Sequence, residues 1–267
     1  MKNVVITGST RGIGHGLARE FLKRNCRAII TGRAAGKVDA VVARFAGEFG
    51  ADRVAGTVCE VTSFDSLQSL WTSADSEFGS VDIWINNAGM SIRRTPLADQ
   101  DPAALAAIVQ TNLAGVLYAS KVAIAGMQAQ GHGQLWNMEG FGSGGQTAPG
   151  MAAYGCTKRA VAYLNKALQK EVKGTGIQVC TLSPGIVVTD LLVGDYDLAS
   201  PEWQRAKKVF NILGDTVETV TPYLVDGMLG SDKTGARVVW LTRGKAFRRF
   251  ALAGFSQRDL FADVPGA

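Results

Sequence analysis

The N-terminal segment joins a short apolar strand to a glycine-rich turn and then to an amphipathic helix. Residues 4–6 are apolar, and the turn that follows carries glycines in the spacing Gly-x-x-x-Gly-x-Gly. Gly8 permits a tight turn, Gly12 lets the backbone approach a pyrophosphate, and Gly14 lets the helix pack closely on the strand. N–H groups at the helix N-terminus then face a phosphate. The segment therefore predicts the first strand–helix unit of a dinucleotide-binding sheet, with a purely structural glycine turn as the alternative.

The alternation of strands and helices continues along all 267 residues without repeats or a linker. This pattern gives a parallel sheet covered by helices on both faces, so we expect one doubly wound, Rossmann-like α/β domain over residues 1–267. Residues 188–214 interrupt the rhythm after a strand end, where ligands bind in such sheets. They are interpreted as a substrate lid, with a surface excursion as the alternative, and residues 243–267 as a C-terminal tail. The predicted strands are residues 3–7, 27–32, 53–58, 81–86, 134–138, 177–183 and 237–241, and the helices lie near 12–25, 36–49, 64–78, 102–131 and 152–173.

Composition fits a single soluble domain. With 46% hydrophobic residues, the chain can bury a large core, and we expect no transmembrane segment because no apolar run approaches about 20 residues. The first strand begins near Asn3, which leaves no room for a targeting peptide. This predicts a cytoplasmic protein or, alternatively, the trimmed mature chain of a plastid protein. The two histidines and four cysteines lack metal-ligand spacing, so no metal site is predicted.

The formal net charge of +5 does not predict a nucleic-acid partner, because the basic residues are spread over many helices. Residues 243–250, followed by Leu252 and Phe255, do concentrate cations with aromatic side chains. Such a segment could contact anionic lipid or an apolar substrate, so peripheral membrane contact stays open. The alternative is an ordinary packing segment whose arginines reach the solvent.

Tyr154 and Lys158 are four residues apart and fall on one face of a predicted helix. The ammonium group stabilises phenolate and so lowers a phenol pKa that is normally about 10. A phenol tuned in this way can donate a proton to a carbonyl oxygen. Alone, the spacing also fits a solvated helix face, but downstream of the glycine turn it predicts a nicotinamide oxidoreductase.

These motifs resemble the short-chain dehydrogenase/reductase family over nearly the whole chain. The turn 86–89, Asn-Asn-Ala-Gly, follows one apolar strand, Pro184-Gly185 follows another, and Asn112 lies in a helix between them, all in family order. The resemblance implies that the first turn lies beside the adenosine ribose and the second beside the nicotinamide. It also implies a homodimer or homotetramer that takes a small-molecule carbonyl substrate. The implied cofactor-binding residues are Gly8, Ser9, Thr10, Arg11, Gly12, Ile13, Gly14, Arg33, Glu60, Val61, Asn87, Ala88, Gly89, Tyr154, Lys158, Pro184, Gly185, Val187 and Thr189.

The end of the second predicted strand indicates which cofactor is used. A carboxylate there would bind the ribose hydroxyls of NAD, whereas an arginine attracts the 2′-phosphate of NADP. This chain has Arg33 at that position and no carboxylate beside it. Arg11 adds a second positive charge, where relatives also meet the 2′-phosphate. Together they predict NADPH rather than NADH.

The resemblance implies a catalytic set of Asn112, Ser143, Tyr154 and Lys158. Tyr154 would donate the proton, while Lys158 would keep it acidic and hold the ribose hydroxyls. Asn112 would order a water in the proton relay, and Ser143 would hold and polarise the carbonyl oxygen.

The serine departs from the family pattern. Common members place it thirteen residues before the tyrosine, where this chain has Phe141. Ser143 is the nearest hydroxyl, and its glycine-rich loop could bend to bring it to the carbonyl oxygen. A backbone N–H near Gly140 or Gly142 is the alternative donor, and Glu139 is the next candidate acid should Tyr154 not serve.

Three segments resemble the chlorophyll b reductases within this family. Residues 137–145 contain Asn-Met-Glu-Gly followed by Gly-Ser-Gly-Gly, residues 183–192 follow the last long strand, and the third segment is residues 209–213. Residues 240–242 and 248–250 also fit this subgroup, less specifically. The resemblance implies reduction of the 7-formyl group of chlorophyll(ide) b to a 7-hydroxymethyl group with NADPH. Glu139 stands where the subgroup leads us to expect aspartate. The alternatives are a reductase of a smaller aldehyde, ketone or acyl substrate and a noncatalytic NADPH-binding protein.

Overall fold

Seven parallel strands form one sheet in the computed structural model, which describes residues 1–194, 196–255 and 258–262. Their order is β3-β2-β1-β4-β5-β6-β7, and each neighbouring pair runs parallel. The predicted doubly wound α/β class is therefore confirmed. The strands are β1 (Asn3–Ile6), β2 (Arg27–Gly32), β3 (Val54–Val58), β4 (Ile83–Asn86), β5 (Gly133–Met138), β6 (Ile177–Ser183) and β7 (Arg237–Val239).

Helices connect the strands and cover the sheet. A five-residue π-helical turn, Gln110–Ala114, lies directly between α4 and α5. The α-helices are α1 (Gly12–Lys23), α2 (Ala35–Phe49), α3 (Phe64–Phe78), α4 (Pro102–Val109), α5 (Gly115–Gln130), α6 (Ala152–Glu171), α7 (Asp190–Val193), α8 (Pro201–Leu213), α9 (Val217–Leu229) and α10 (Arg243–Ala251).

Both faces of the sheet are buried, so alternate strand side chains enter two separate cores. Val4 of β1 packs on one side with α1, α2 and α9, where Phe21 and Leu224 are fully buried. Val5 packs on the other side with α3, α5 and α6, around Leu67 and Met127. This double burial explains why inner strands such as β1 and β4, which are buried at every position, are mainly apolar rather than alternating with polar residues.

The order of the sheet reverses between β1 and β4. Loops that leave the carboxyl ends of two such strands diverge and open a crevice, which is the usual ligand site in this architecture. The glycine turn leaves β1 and the asparagine-rich turn leaves β4. The topology therefore brings the two predicted cofactor loops to one edge of the sheet.

Four α-helices after β6, α7 to α10, lie outside the predicted set. α8 makes the second half of the predicted lid helical. Its N-cap is Ser200, whose hydroxyl accepts the N–H of Trp203 at 3.1 Å. Pro222 lies inside α9 and conceals it in the sequence, because an internal proline indicates a helix break. α10 lies at the start of the predicted tail. Position 195 of the predicted lid and positions 256–257 and 263–267 of the predicted tail lie outside the described residues.

The continuous helical segment Pro102–Gln130 has the length and composition of a membrane span, among the described residues. The segment is not one apolar run, because Gln110, Thr111 and Asn112 interrupt it, and the absence of a transmembrane segment stays a prediction. Length and composition alone do not separate a spanning helix from a core helix. Here α5 packs on α3 and β5, and its Ala119, Ala123 and Met127 are buried in the second core.

Candidate active site

The glycine turn is shaped as a cradle at the carboxyl end of β1. Gly8 and Gly12 have positive φ angles of 67° and 57°, which favour glycine. A Cβ on Gly14 would overlap the Gly8 carbonyl oxygen and lie 2.5 Å from Nδ2 of Asn87. Gly14 is therefore needed for close packing of α1 against this loop.

Hydrogen bonds from two neighbouring strands fix this loop. Asn87 donates from Nδ2 to the carbonyl oxygens of Thr7 and Gly8 at 2.9 and 3.1 Å. Thr7 accepts at its hydroxyl the N–H groups of Asn87 and Ala88, both at 3.0 Å. The Gly8 N–H donates to Oγ1 of Thr31 at 3.0 Å. Asn87 thus holds the glycine turn in place. The sequence predicted that Asn87 lies beside the ribose, but it did not predict this positioning role.

Tyr154 and Lys158 lie on the first turns of α6, beneath the loop after β5. A Cβ on Gly140 would lie 2.5 Å from the phenol oxygen of Tyr154, so the phenol packs directly against the backbone of this loop. Lys158 donates from Nζ to the carbonyl oxygen of Met138 at 3.2 Å. Its Nζ lies 5.8 Å from the centroid of the Tyr154 ring. The sequence-predicted pair is therefore brought together at one end of the sheet.

The ammonium group of Lys158 is buried beside a carboxylate. Burial lowers the pKa of Lys158 to about 8, while the negative charge of Glu139 opposes that shift. Glu139 in turn forms a two-pronged ion pair with Arg237 of β7, in which Nη2 donates to Oε2 at 2.7 Å and Nε donates to Oε1 at 3.2 Å. The carboxylate is thus paired with Arg237, and its negative charge favours the protonated form of Lys158. Its role as the next candidate acid stays a prediction.

Asn112 lies in the π-helical turn and is buried. Its Oδ1 accepts the N–H of Met90, and its Nδ2 donates to the Met90 carbonyl, both at 2.8 Å. A longer hydrogen bond of 3.4 Å joins Nδ2 to Oγ1 of Thr157 on α6. Single π turns of this kind occur frequently at functional sites. The side chain ties the segment after β4 to α6, and its role in ordering a water stays a prediction.

Ser143 is buried in the loop between β5 and α6. Its Oγ accepts the N–H of Gly140 at 3.1 Å and donates to the carbonyl oxygen of Lys158 at 3.3 Å. The hydroxyl therefore joins the loop to the helix that carries Tyr154. It lies in the predicted neighbourhood, and its contact with a substrate oxygen stays a prediction.

The two arginines predicted to meet a 2′-phosphate lie at the mouth of the crevice. Arg33 is 80% exposed at its side chain, with Nη1 3.8 Å from Oε2 of Glu60. Arg11 donates from Nη1 to Oδ2 of Asp190, the first residue of α7, at 2.8 Å. Both pairs are exposed, and such pairs contribute little to stability. Each guanidinium can therefore exchange its partner for a phosphate.

One continuous cleft of about 2300 Å³ runs from the glycine turn to the predicted lid. Ser9 does not line it, because its hydroxyl accepts the Thr31 N–H at 2.8 Å behind the loop, and Gly14 and Asn112 also lie behind the surface. The other predicted residues line the cleft: Gly8, Thr10, Arg11, Gly12, Ile13, Arg33, Glu60, Val61, Asn87, Ala88, Gly89, Ser143, Tyr154, Lys158, Pro184, Gly185, Val187 and Thr189.

The far end of the cleft is lined by apolar residues that the sequence analysis did not propose as site residues. Val209 and Leu213 come from one face of α8, and Leu192 comes from α7. The four-residue spacing of Val209 and Leu213 is the signal that could have identified them. Behind them, Trp203 and Phe210 form the aromatic cluster of the lid together with Phe261.

Comparisons with known proteins agree with this arrangement. The model of the short chain dehydrogenase family matches residues 2–197. Chlorophyll(ide) b reductase NOL, chloroplastic, from Arabidopsis thaliana is 37% identical over 92% of this chain and 72% of that protein. The 3-oxoacyl-[acyl-carrier-protein] reductase FabG of Haemophilus influenzae is 33% identical over 71% of this chain and 76% of that protein.

A solved structure gives the same fold. Gluconate 5-dehydrogenase from Burkholderia cenocepacia, in complex with NADP and tartrate, matches with a TM-score of 0.76 at 26% identity, over 90% of this chain and 93% of that chain. The chain spans between 50% and 72% of the length of the chlorophyll(ide) b reductases that it matches.

Proposed function

We infer the reaction from one premise: the chain belongs to the short-chain dehydrogenase family, since the family model matches residues 2–197 and relatives cover most of the chain. It is an oxidoreductase of that family. The observation that carries the proposal is the Tyr154–Lys158 pair, which lies in the same cleft as the glycine turn. We propose that this pair reduces a carbonyl group with NADPH, with Tyr154 as the proton donor.

The residues of the crevice fit NADPH. Gly8 and Gly12 line the cleft with backbone alone, which leaves room for a pyrophosphate, and Arg33 and Arg11 supply two exposed positive charges for a 2′-phosphate. When bound, the nicotinamide supplies the hydride. Glu60 and Val61 line the cleft on the adenosine side, and the turn at Pro184 and Gly185 lines it near Tyr154.

The residues of α6 and its neighbouring loop would perform the proton chemistry. Tyr154 would donate its phenol proton to the carbonyl oxygen as negative charge develops, a contribution of roughly a hundredfold to ten-thousandfold. Lys158 would stabilise the phenolate left behind, because its positive charge lies on the same helix face. Ser143, or a backbone N–H near Gly140 or Gly142, would hold the carbonyl oxygen.

A chlorophyll-type formyl tetrapyrrole is the proposed substrate. The similarity to the Arabidopsis chlorophyll(ide) b reductase supports this class. The cleft, at about 2300 Å³, also exceeds the roughly 300–1,000 Å³ typical of small-ligand pockets. Part of it would hold the dinucleotide, and the remainder ends at the apolar face of Leu192, Val209 and Leu213. A macrocycle needs such a wide apolar surface, whereas a small polar substrate does not.

The test is NADPH oxidation by the full chain with chlorophyll b, chlorophyllide b and a panel of small aldehydes, ketones and acyl thioesters. We expect 7-hydroxymethyl products and a kcat/KM for the tetrapyrroles at least about a hundredfold above that for the panel. A preference for an acyl thioester would favour the second candidate, which the similarity to the 3-oxoacyl reductase supports. If no carbonyl were reduced although NADPH bound, the noncatalytic alternative would hold.

Two further expectations belong to this proposal. The chloroplast relatives favour a plastid location over the cytoplasmic one expected from the sequence. A homodimer or homotetramer stays a prediction, which the mass of the protein in solution would test.

A further inference from the structure

The last α-helix of the described chain, α10, turns charged side chains toward the protein and aromatic side chains toward the solvent. Lys245 and Arg249 face the protein body, whereas Phe247 and Phe250 are 78% and 51% exposed. The two phenylalanines are three residues apart and share one face of the helix. A surface helix of a globular domain normally has the reverse arrangement, so the outer face requires an explanation.

Ion pairs on the inner side fix this orientation. Arg249 donates from Nη1 and Nη2 to the two carboxylate oxygens of Asp215, at 2.8 and 2.9 Å. Asp215 is buried, and it also accepts the indole N–H of Trp240. Burial raises the pKa of Asp215, but hydrogen bonds from Arg249 and Trp240 outweigh it and leave the pKa lowered. Turning the phenylalanines inward would take Arg249 away from this buried carboxylate and leave it with Trp240 and Arg258, and loss of one partner of a buried ion pair is destabilising.

The segment that carries the exposed phenylalanines is basic in sequence. Every charged residue from Lys233 to Arg258 is basic. Arg243 and Arg248 are exposed and flank Phe247 on the outer side of α10. This face combines aromatic side chains that can enter a lipid headgroup layer with cations that attract anionic lipid.

We propose that the outer face of α10 docks on an anionic lipid bilayer. A helix of nine residues is about 14 Å long, so its exposed face offers much less than the roughly 800 Å² per partner of a stable protein interface. A bilayer needs no such area, because a few inserted aromatic side chains and nearby cations suffice for reversible binding.

Docking would also place the cleft beside the bilayer. Leu241 and Thr242, which directly precede α10, line the cleft rim. An apolar substrate dissolved in the membrane could then reach the cleft with little exposure to water. The lipid contact itself does not depend on the substrate class proposed above.

The test is flotation of the full chain with vesicles of phosphatidylcholine, with and without about one third phosphatidylglycerol. We expect binding to the anionic vesicles that weakens at high salt. Binding should fall at least about tenfold in Phe247→Ser/Phe250→Ser and in Arg248→Glu. Reduction of a water-soluble aldehyde should be unchanged in these variants, which separates a docking defect from misfolding.

Two matched controls make the result specific. Leu97→Ser removes another exposed apolar side chain elsewhere, and Lys170→Glu/Lys173→Glu removes exposed cations at and just beyond the C-terminal end of α6. Neither should affect flotation. Failure of the parent chain to float, or equal losses in the controls, would overturn the proposal. Loss of self-association in Phe247→Ser/Phe250→Ser without any vesicle binding would assign the face to a second copy of the chain instead.

Discussion

Lys158→Met should change how the stability of this protein depends on pH. Burial lowers the pKa of Lys158 from 10.5 to about 8 in the folded chain. The unfolded chain restores the ordinary value, so between these two pKa values the unfolded state binds more protons than the native state. The free energy of unfolding of the parent should therefore rise with pH across that window, relative to a variant that lacks the group.

The structure sets the size of this effect. The gap between 10.5 and about 8 corresponds to roughly 3 kcal/mol, at about 1.4 kcal/mol per pH unit. The free energy of unfolding of the parent should increase by most of this amount, roughly 2–3 kcal/mol, between about pH 7 and about pH 10. Loss of the hydrogen bond from Nζ to the Met138 carbonyl changes the absolute stability of the variant. Below about pH 8, where the ammonium persists, that loss adds an offset that is nearly independent of pH.

Urea unfolding of the cofactor-free proteins, followed by circular dichroism at several pH values, measures the difference directly. Other titrating groups are shared by parent and variant, so they cancel when the two curves are subtracted. Lys170→Met removes an exposed lysine from the same helix and should give a curve parallel to that of the parent. Parallel curves for Lys158→Met as well would show that the ammonium group is not penalised by burial, and the reasoning would fail.

Three predictions concern binding and chemistry. Arg33→Asp should abolish or reverse the preference for NADPH over NADH, because a phosphate contact is replaced by repulsion; equal affinities in the unmutated protein, by fluorescence titration, would contradict it. Tyr154→Phe should abolish turnover and leave NADPH affinity nearly unchanged, since only the donor hydroxyl is removed; more than about a tenth of the activity remaining would require another acid. Ser143→Ala should lower kcat by roughly a hundredfold to a thousandfold if its hydroxyl holds the carbonyl oxygen. Activity close to that of the parent would assign that role to a backbone N–H near Gly140 or Gly142.

Local patterns predicted the sheet and the cofactor loops because local physics determines them. The apolar run 4–6 and the spacing of Gly8, Gly12 and Gly14 specify a strand, a turn and a helix within a few residues. The helix 217–229 was missed because Pro222 masks its pattern, and tertiary packing against α1 overrides that local signal.

Contacts between distant parts of the chain could not be predicted in this way. Glu139 and Arg237 are 98 residues apart, and Arg11 and Asp190 are 179 residues apart. In the sequence they are isolated charged residues, and only the topology of the sheet brings their loops to the same edge. For the same reason the spacing around Ser143 indicated a nearby hydroxyl but not its hydrogen bonds to Gly140 and Lys158.

Another set of contacts between separate elements holds the first turns of α6, which carry the proposed proton donor. The Ser143 hydroxyl bonds to the Lys158 carbonyl, Lys158 bonds to the Met138 carbonyl, and Asn112 reaches Thr157 from the π turn. The phenol of Tyr154 is therefore positioned by the loop after β5 and by the π-helical turn before α5, as well as by its own helix. Substitutions in the loop after β5 should consequently change kcat, because they alter the placement and acidity of the phenol. Substitutions in the glycine turn after β1, on the other side of the crevice, should instead change the affinity for the dinucleotide.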